Sequence, residues 1–141
     1  MSKDLAKILS FIDEHHVLGL ATAYRDEPSL CSLFYAFDEK SLSFVVASSE
    51  ETLHIQQVKQ NENVAGNILL ETKEVGKIQG LQFFATMQKL EDESLKKLYF
   101  KRFPYALALM PTLWQIKVAR FKLTDNRLGF GKKIIYEVAS L

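Results

Sequence analysis

Apolar and polar positions follow two rhythms along this chain, and the changes between them mark its elements. Between Ser2 and Glu14, Leu5, Ile8, Leu9 and Ile12 fall at offsets of three, four and seven, one face of a helix with Ser2 as cap and Asp4 as an early acid. His15-His16 closes it. Strand-like runs follow: Val17 to Tyr24, Leu30 to Phe37 and Leu42 to Ala47, separated by Arg25-Asp26-Glu27-Pro28 and Asp38-Glu39-Lys40-Ser41, both rich in turn formers. The spacing predicts a meander. Its second run, Leu30 to Phe37, carries no charge on either face, although a strand with one solvated side alternates apolar and polar residues. Both faces are therefore expected to be covered, one by a barrel interior and the other by a second copy of the protein.

Next, Phe44-Val45-Val46-Ala47 breaks into Ser48-Ser49-Glu50-Glu51-Thr52-Leu53-His54 and runs on as a helix through Asn61 to Val64-Ala65. A strand that passes through small hydroxyl residues into a helix gathers free backbone N–H groups and side-chain donors at one spot, which suits a phosphate. A plain helix cap at Ser48, with Glu51 completing a capping box, fits the same residues, and Glu50 and Glu51 put carboxylates where an anion would sit. Both readings stand on the pattern alone.

A strand from Asn63 to Leu70, a polar connection from Glu71 to Gly76 and a long strand from Lys77 to Leu90 come next. Gly80 interrupts the long strand near its start, where a bulge, a barrel bend or the close approach of a ligand would each favour a residue without Cβ, and Gln79 beside it offers an amide donor and acceptor. Glu91 to Arg102 reads as a helix with Leu95, Leu98 and Tyr99 on one side, ended by Phe103-Pro104; Tyr105 to Met110 is a short apolar piece closed by Pro111. Leu113 to Thr124 is a strand, Asp125-Asn126 a turn, and Ile134 to Val138 a last strand. The fold class is mainly β, a small antiparallel barrel of six to seven strands with helices plugging its openings.

Composition narrows the function. A chain of 141 residues, 48% hydrophobic and 25% charged, fits one domain over residues 1–141 that buries roughly two-thirds of its unfolded surface. A net charge of +1 gives no polyanion-binding excess, so nucleic acid is not an expected partner. Cys31 is the only cysteine and lies in an apolar run, which suggests a small buried hydrophobe and a reducing cytoplasm. No apolar run reaches the ~20 residues of a membrane span, and the amino terminus reads as an amphipathic helix rather than a signal peptide; no membrane partner is expected. Asp13-Glu14-His15-His16 is not a metal site, because adjacent side chains diverge and no second spaced cluster exists. No catalytic triad, metalloprotease pattern or glycine-rich nucleotide loop is present, so the sequence names no catalytic residue; a flavin enzyme needs none of these, since its cofactor carries the chemistry.

Trp114-Gln115-Ile116, Phe121-Lys122-Leu123-Thr124-Asp125-Asn126 and Leu128-Gly129-Phe130-Gly131-Lys132-Lys133 resemble the carboxy-terminal signature of a small bacterial family in the pyridoxamine 5′-phosphate oxidase-like superfamily. Phe34-Tyr35, Phe37-Asp38, Val64-Ala65-Gly66, Gly80-Leu81-Gln82-Phe83 and Arg102-Phe103-Pro104 extend the match over nearly the whole chain. The resemblance implies an FMN-binding split barrel working as a homodimer, with flavins shared across the interface, and an oxidoreductase acting on a small molecule. Haem or a deazaflavin replaces FMN in some relatives, and a binding or sensing module is the alternative. By the same resemblance Ser48 and Thr52 stand where hydroxyls hold the flavin phosphate, and His54 where a lysine or arginine usually does. Lys132 and Lys133, from the partner subunit, would supply the missing charge. Gln79 and Gly80 match flavin contacts, Trp114 would pack near the ring system, and Tyr99 and Arg102 resemble substrate-phosphate ligands. Gly129 to Lys133 replaces the arginine-leucine-histidine element of the true oxidases, which speaks against vitamin B6 oxidation.

Overall fold

The chain, described over residues 2–138 in a computed structural model, runs α1 (Lys3–Glu14), β1 (Val17–Tyr24), β2 (Glu27–Phe34), β3 (Ala36–Asp38), β4 (Ser43–Ala47), α2 (Leu53–Gln60), β5 (Asn63–Leu69), β6 (Gln79–Lys89), α3 (Glu93–Arg102), β7 (Leu113–Asp125) and β8 (Lys133–Glu137). Short 3-10 turns cover Val75–Lys77, Pro104–Leu109 and Asn126–Leu128. The strands form one antiparallel sheet in the order β2-β1-β5-β6-β7-β4-β3. Its two ends, β2 and β3, are consecutive in the chain and separated only by Tyr35, so a single bent strand closes the barrel. β7 is long enough for its outer edge to be shared, Leu113 to Lys117 pairing with β4 and Arg120 to Thr124 with β8.

The predicted Leu30–Phe37 run is thus two strands. It also starts earlier, at Glu27, because Arg25 and Asp26 alone make the turn, at φ 50° and 62°, and Tyr24 pairs directly with Glu27. Tyr35 sets the bend: its N–H donates to His16 O (3.2 Å), its buried hydroxyl donates to Ile12 O (2.6 Å), and its ring meets Phe44 edge-on.

Inward positions alternate along every long strand and meet in a core of Leu18, Leu20, Phe44, Phe83, Ile116 and Phe121. α1 contributes Ile8, Phe11 and Ile12 to it and α2 contributes Ile55 and Val58, the plugging role expected of both. Leu95 and Tyr99 of α3 join a smaller cluster with Val45, Leu90 and Leu113.

Gly80 makes no bulge. It sits in a regular ladder between Leu69 and Thr124, and a Cβ there would meet Leu69 Cδ1 at an ordinary 3.7 Å. The register shift falls at Phe84/Ala85, opposite an unpaired Ala119, which bends the sheet there instead. The glycine under steric demand is Gly66, where a Cβ would lie 2.6 Å from Gly19 O and collide with the Phe83 ring. Cys31 is half-buried at the core edge rather than enclosed, and burial still pushes its thiol pKa up.

Outside the barrel, register aligns Leu30, Ala21, Ala65 and Phe84 in one row across four strands. Leu30 is 77% and Phe84 52% exposed, and the alanines between them keep the row flat. The uncharged face of β2 is open to solvent in the single chain.

Candidate functional site

β4 ends at Ala47, and the chain turns through Ser48 to Thr52 before α2 begins. Ser48 is not the helix cap. Thr52 holds that position, in extended conformation, and no side chain caps the helix, so no capping box with Glu51 exists. The first turn of α2 consequently presents backbone N–H groups with no intrahelical acceptor. Thr52 Oγ1 donates to Ser49 O (2.8 Å) and lies 3.3 Å from His54 Nε2; Ser48 Oγ lies 2.5 Å from the same nitrogen. The Thr52 proton is committed to Ser49 O, and Ser48 Oγ and His54 Nε2 share one hydrogen, on whichever atom the histidine tautomer puts it. Ser48 is held from behind as well: its N–H donates to Thr112 O (3.1 Å) and its carbonyl accepts from Trp114 Nε1 (2.9 Å).

Of the two carboxylates that argued against an anion here, Glu50 is ion-paired, while Glu51 is exposed and forms no ion pair among the described residues. Glu50 lies 3.3 Å from Lys59 Nζ and 3.7 Å from Lys89 Nζ, and the two ammoniums hold its carboxyl below the ordinary range. These lysines, with Trp114, Met87 and Val58, line a groove of about 440 Å³. Sequence reasoning missed both, because one sits at the end of α2 and the other at the end of β6, and only the barrel brings them to Glu50.

Burial lowers the pKa of His54 below its usual value. The folded chain then binds fewer protons than the unfolded chain, so this contribution to stability is full above about pH 6.5 and is lost as pH falls through that range. Thermal midpoints measured from pH 7.5 to 5 should therefore drop more steeply for the native chain than for His54→Gln. Equal slopes would remove His54 from the balance.

Trp114 is the one other predicted cofactor residue beside Ser48, and it is buried at 2% exposure. Gln79, Gly80, Lys132 and Lys133 lie at the far end of the sheet. Trp114 pairs with Lys89 and Val46, whereas Thr124 pairs with Gly80 and Lys133; ten residues of β7, on the order of 30 Å, separate the two ends within one chain. At that far end Asp125 accepts from Arg127 N, Nε and Nη2, Arg127 Nη2 donates to Gln79 Oε1 (3.0 Å), and Asn126 Oδ1 accepts from Gly131 N (3.0 Å). The Asp125 to Lys133 signature therefore builds a turn held by side-chain hydrogen bonds. Lys132 and Lys133 are exposed on it and form no ion pair among the described residues.

Tyr99 and Arg102 both lie against the Phe103 ring, at 4.9 Å and 5.2 Å from its centroid. Tyr99 is buried against Phe100 and Phe103, while Arg102 Nη2 donates to His16 Nδ1 (2.7 Å) at the mouth of a cavity of about 210 Å³ shared with Asp13, His15 and Glu39. His15 and His16 occupy the turn after α1, as expected, with His15 Nδ1 2.7 Å from Phe11 O. Among the described residues no cluster of metal-ligating side chains occurs, and no helix is long and apolar enough to cross a membrane.

No family model matches the chain. It is 37% identical over 133 residues to a UPF0306 protein of Enterobacter sp. (strain 638), covering 92% of this chain and 94% of that one. To the UPF0306 protein YhbP of Escherichia fergusonii it is 35% identical over 135 residues, covering 94% and 92%. Among solved structures it superposes on a heme binding protein from Mycobacterium smegmatis with a TM-score of 0.80 at 12% identity, over 97% of this chain and 59% of that one. A FAD-binding protein from Mesorhizobium loti gives 0.72 at 12% identity, over 87% and 92%. A Listeria innocua structure named for pyridoxamine 5′-phosphate oxidase gives 0.65 at 20%, over 84% and 95%. These likenesses show the fold alone, an antiparallel split barrel with helices.

Proposed function

The chain belongs to the UPF0306 family, and we propose that it binds FMN in a cleft between two copies of itself, as an oxidoreductase acting on a small molecule. The observation that carries this is the convergence of Ser48 and Thr52 on His54 Nε2 at the uncapped start of α2. Those groups fit a phosphate: the Ser48 hydroxyl and the His54 imidazole, whose shared hydrogen can turn toward an anion, and the backbone N–H groups at the start of α2. What the cluster lacks is a full positive charge, while FMN phosphate brings close to two negative ones.

A second copy answers that shortfall. In a two-fold pair the far end of one barrel can meet the near end of the other, each contact occurring twice, so Lys132 and Lys133 of the partner would face the Ser48 cluster. The exposed row of Leu30, Ala21, Ala65 and Phe84 offers a flat apolar surface for such a pairing. When bound, the flavin supplies hydride or electron transfer. The residues of this chain hold its phosphate, orient its ring and exclude water.

Haem is a second reading, supported by one feature. His15 Nδ1 lies 2.7 Å from Phe11 O, a carbonyl that can only accept, so Nδ1 holds the ring hydrogen and Nε2 keeps the lone pair that a metal ligand needs.

The test is an absorption spectrum of the protein as purified, followed by titration with FMN and with riboflavin. The expected result is a yellow protein, or saturable uptake of FMN, with riboflavin binding about tenfold more weakly or worse for want of its phosphate. A Soret band lost in His15→Ala would favour haem. A colourless protein that takes up neither cofactor would overturn both readings.

A further inference from the structure

The segment after α3 is apolar and lies uncovered. Leu107 is 60%, Leu109 82% and Met110 86% exposed, on a 3-10 turn pinned between Pro104 and Pro111. Stray exposed leucines need no explanation; three large apolar side chains on one ledge do. Beneath the ledge runs a groove of about 370 Å³ against α3, floored by Leu90, Phe100 and Leu113. That volume lies within the ~300–1,000 Å³ range of small-molecule sites.

The charge lining the groove is of one sign. Lys89 and Lys96 line it, and among the described residues no carboxylate does. Each ammonium rests on an acid outside the groove, Lys89 at 3.7 Å from Glu50 and Lys96 at 3.2 Å from Glu93. Ion pairs this exposed hold weakly, so an anion that also buries hydrocarbon competes with them for the lysines.

We propose that the groove binds an amphiphilic carboxylate, with its hydrocarbon or aromatic body against Leu90, Phe100, Leu107 and Leu113 and its carboxylate between Lys89 and Lys96. The site adjoins the Ser48 cluster, since Thr112 lines the groove and its carbonyl accepts from Ser48 N. It does not depend on flavin being bound.

Calorimetric titration of the full chain with octanoate, and with octylammonium as the oppositely charged control, tests it. Octanoate should bind saturably and octylammonium about tenfold more weakly or not at all. Lys89→Met with Lys96→Met should weaken octanoate by about tenfold. Leu107→Asp should abolish binding while leaving the thermal midpoint in place, because that side chain is already 60% exposed. Equal binding of the two amphiphiles would mean apolar adsorption only, and no octanoate binding would mean that the ledge is covered by something else, such as a second copy. Either result overturns the proposal.

Discussion

Phe44→Ala is expected to destabilise the protein by ~3–5 kcal/mol, the range for emptying a fully enclosed aromatic site. Phe44 is 0% exposed and its ring meets three others, Tyr35 at 5.1 Å, Phe37 at 4.8 Å and Phe83 at 4.8 Å between centroids. These neighbours come from the bend that closes the barrel, from β3 and from β6, so no single element can shift to fill the hole. Against a typical total of ~5–15 kcal/mol the variant keeps little reserve, and its thermal midpoint should fall on the order of 10 °C or more. Urea unfolding measures the loss. A change under about 1 kcal/mol would mean that the aromatic cluster collapses around the vacancy, contrary to close packing of this core.

Ser48→Ala should weaken FMN binding by roughly tenfold or more, with little change in unfolding free energy, and adding Thr52→Val, whose hydroxyl proton is already donated to Ser49 O, should weaken it little further. A hydrogen bond to a charged group is worth ~1.5–3 kcal/mol, and each ~1.4 kcal/mol is a factor of ten in affinity. The two hydroxyls meet at one nitrogen, His54 Nε2, so their effects are coupled and a simple sum overstates the loss. Riboflavin affinity should hardly move. If it falls in parallel with that of FMN, the hydroxyls act on the shape of the site and not on the phosphate.

The periodic parts of the sequence carried most of the fold. Ile8, Leu9 and Ile12 lie on the buried face of α1 as the spacing predicts, joined by Phe11, which it did not single out, while Leu5 is only half-buried; the uncharged Leu30 to Phe37 run includes an outer face that is open in the single chain. What escaped notice was decided across the fold. Tyr35 breaks the predicted strand because its hydroxyl reaches back to Ile12, and the bulge at Phe84/Ala85 answers to Ala119 on the neighbouring strand, while Gly80, the local signal, proved an ordinary ladder residue.

The candidate site was legible for the same reason in reverse. Ser48, Thr52 and His54 lie within one short stretch, so local pattern sufficed to group them. Glu50's lysines come from separate elements. Gln79 and Gly80 were grouped with Ser48 by resemblance alone, and the ladder of β7 sets them at the other end of the chain. Only the second-copy arrangement proposed above would reunite them.

The indole of Trp114 donates to the Ser48 carbonyl across a sequence separation of 66, through the pairing of β4 with β7. The hairpin turns can form early and locally, whereas this junction must wait until two distant halves of the chain have docked. Since the chain holds a single tryptophan, its fluorescence is a built-in clock for that late event. Ser48 is not anchored on β7 until then, so the fluorescence change and the seating of Ser48 report the same step.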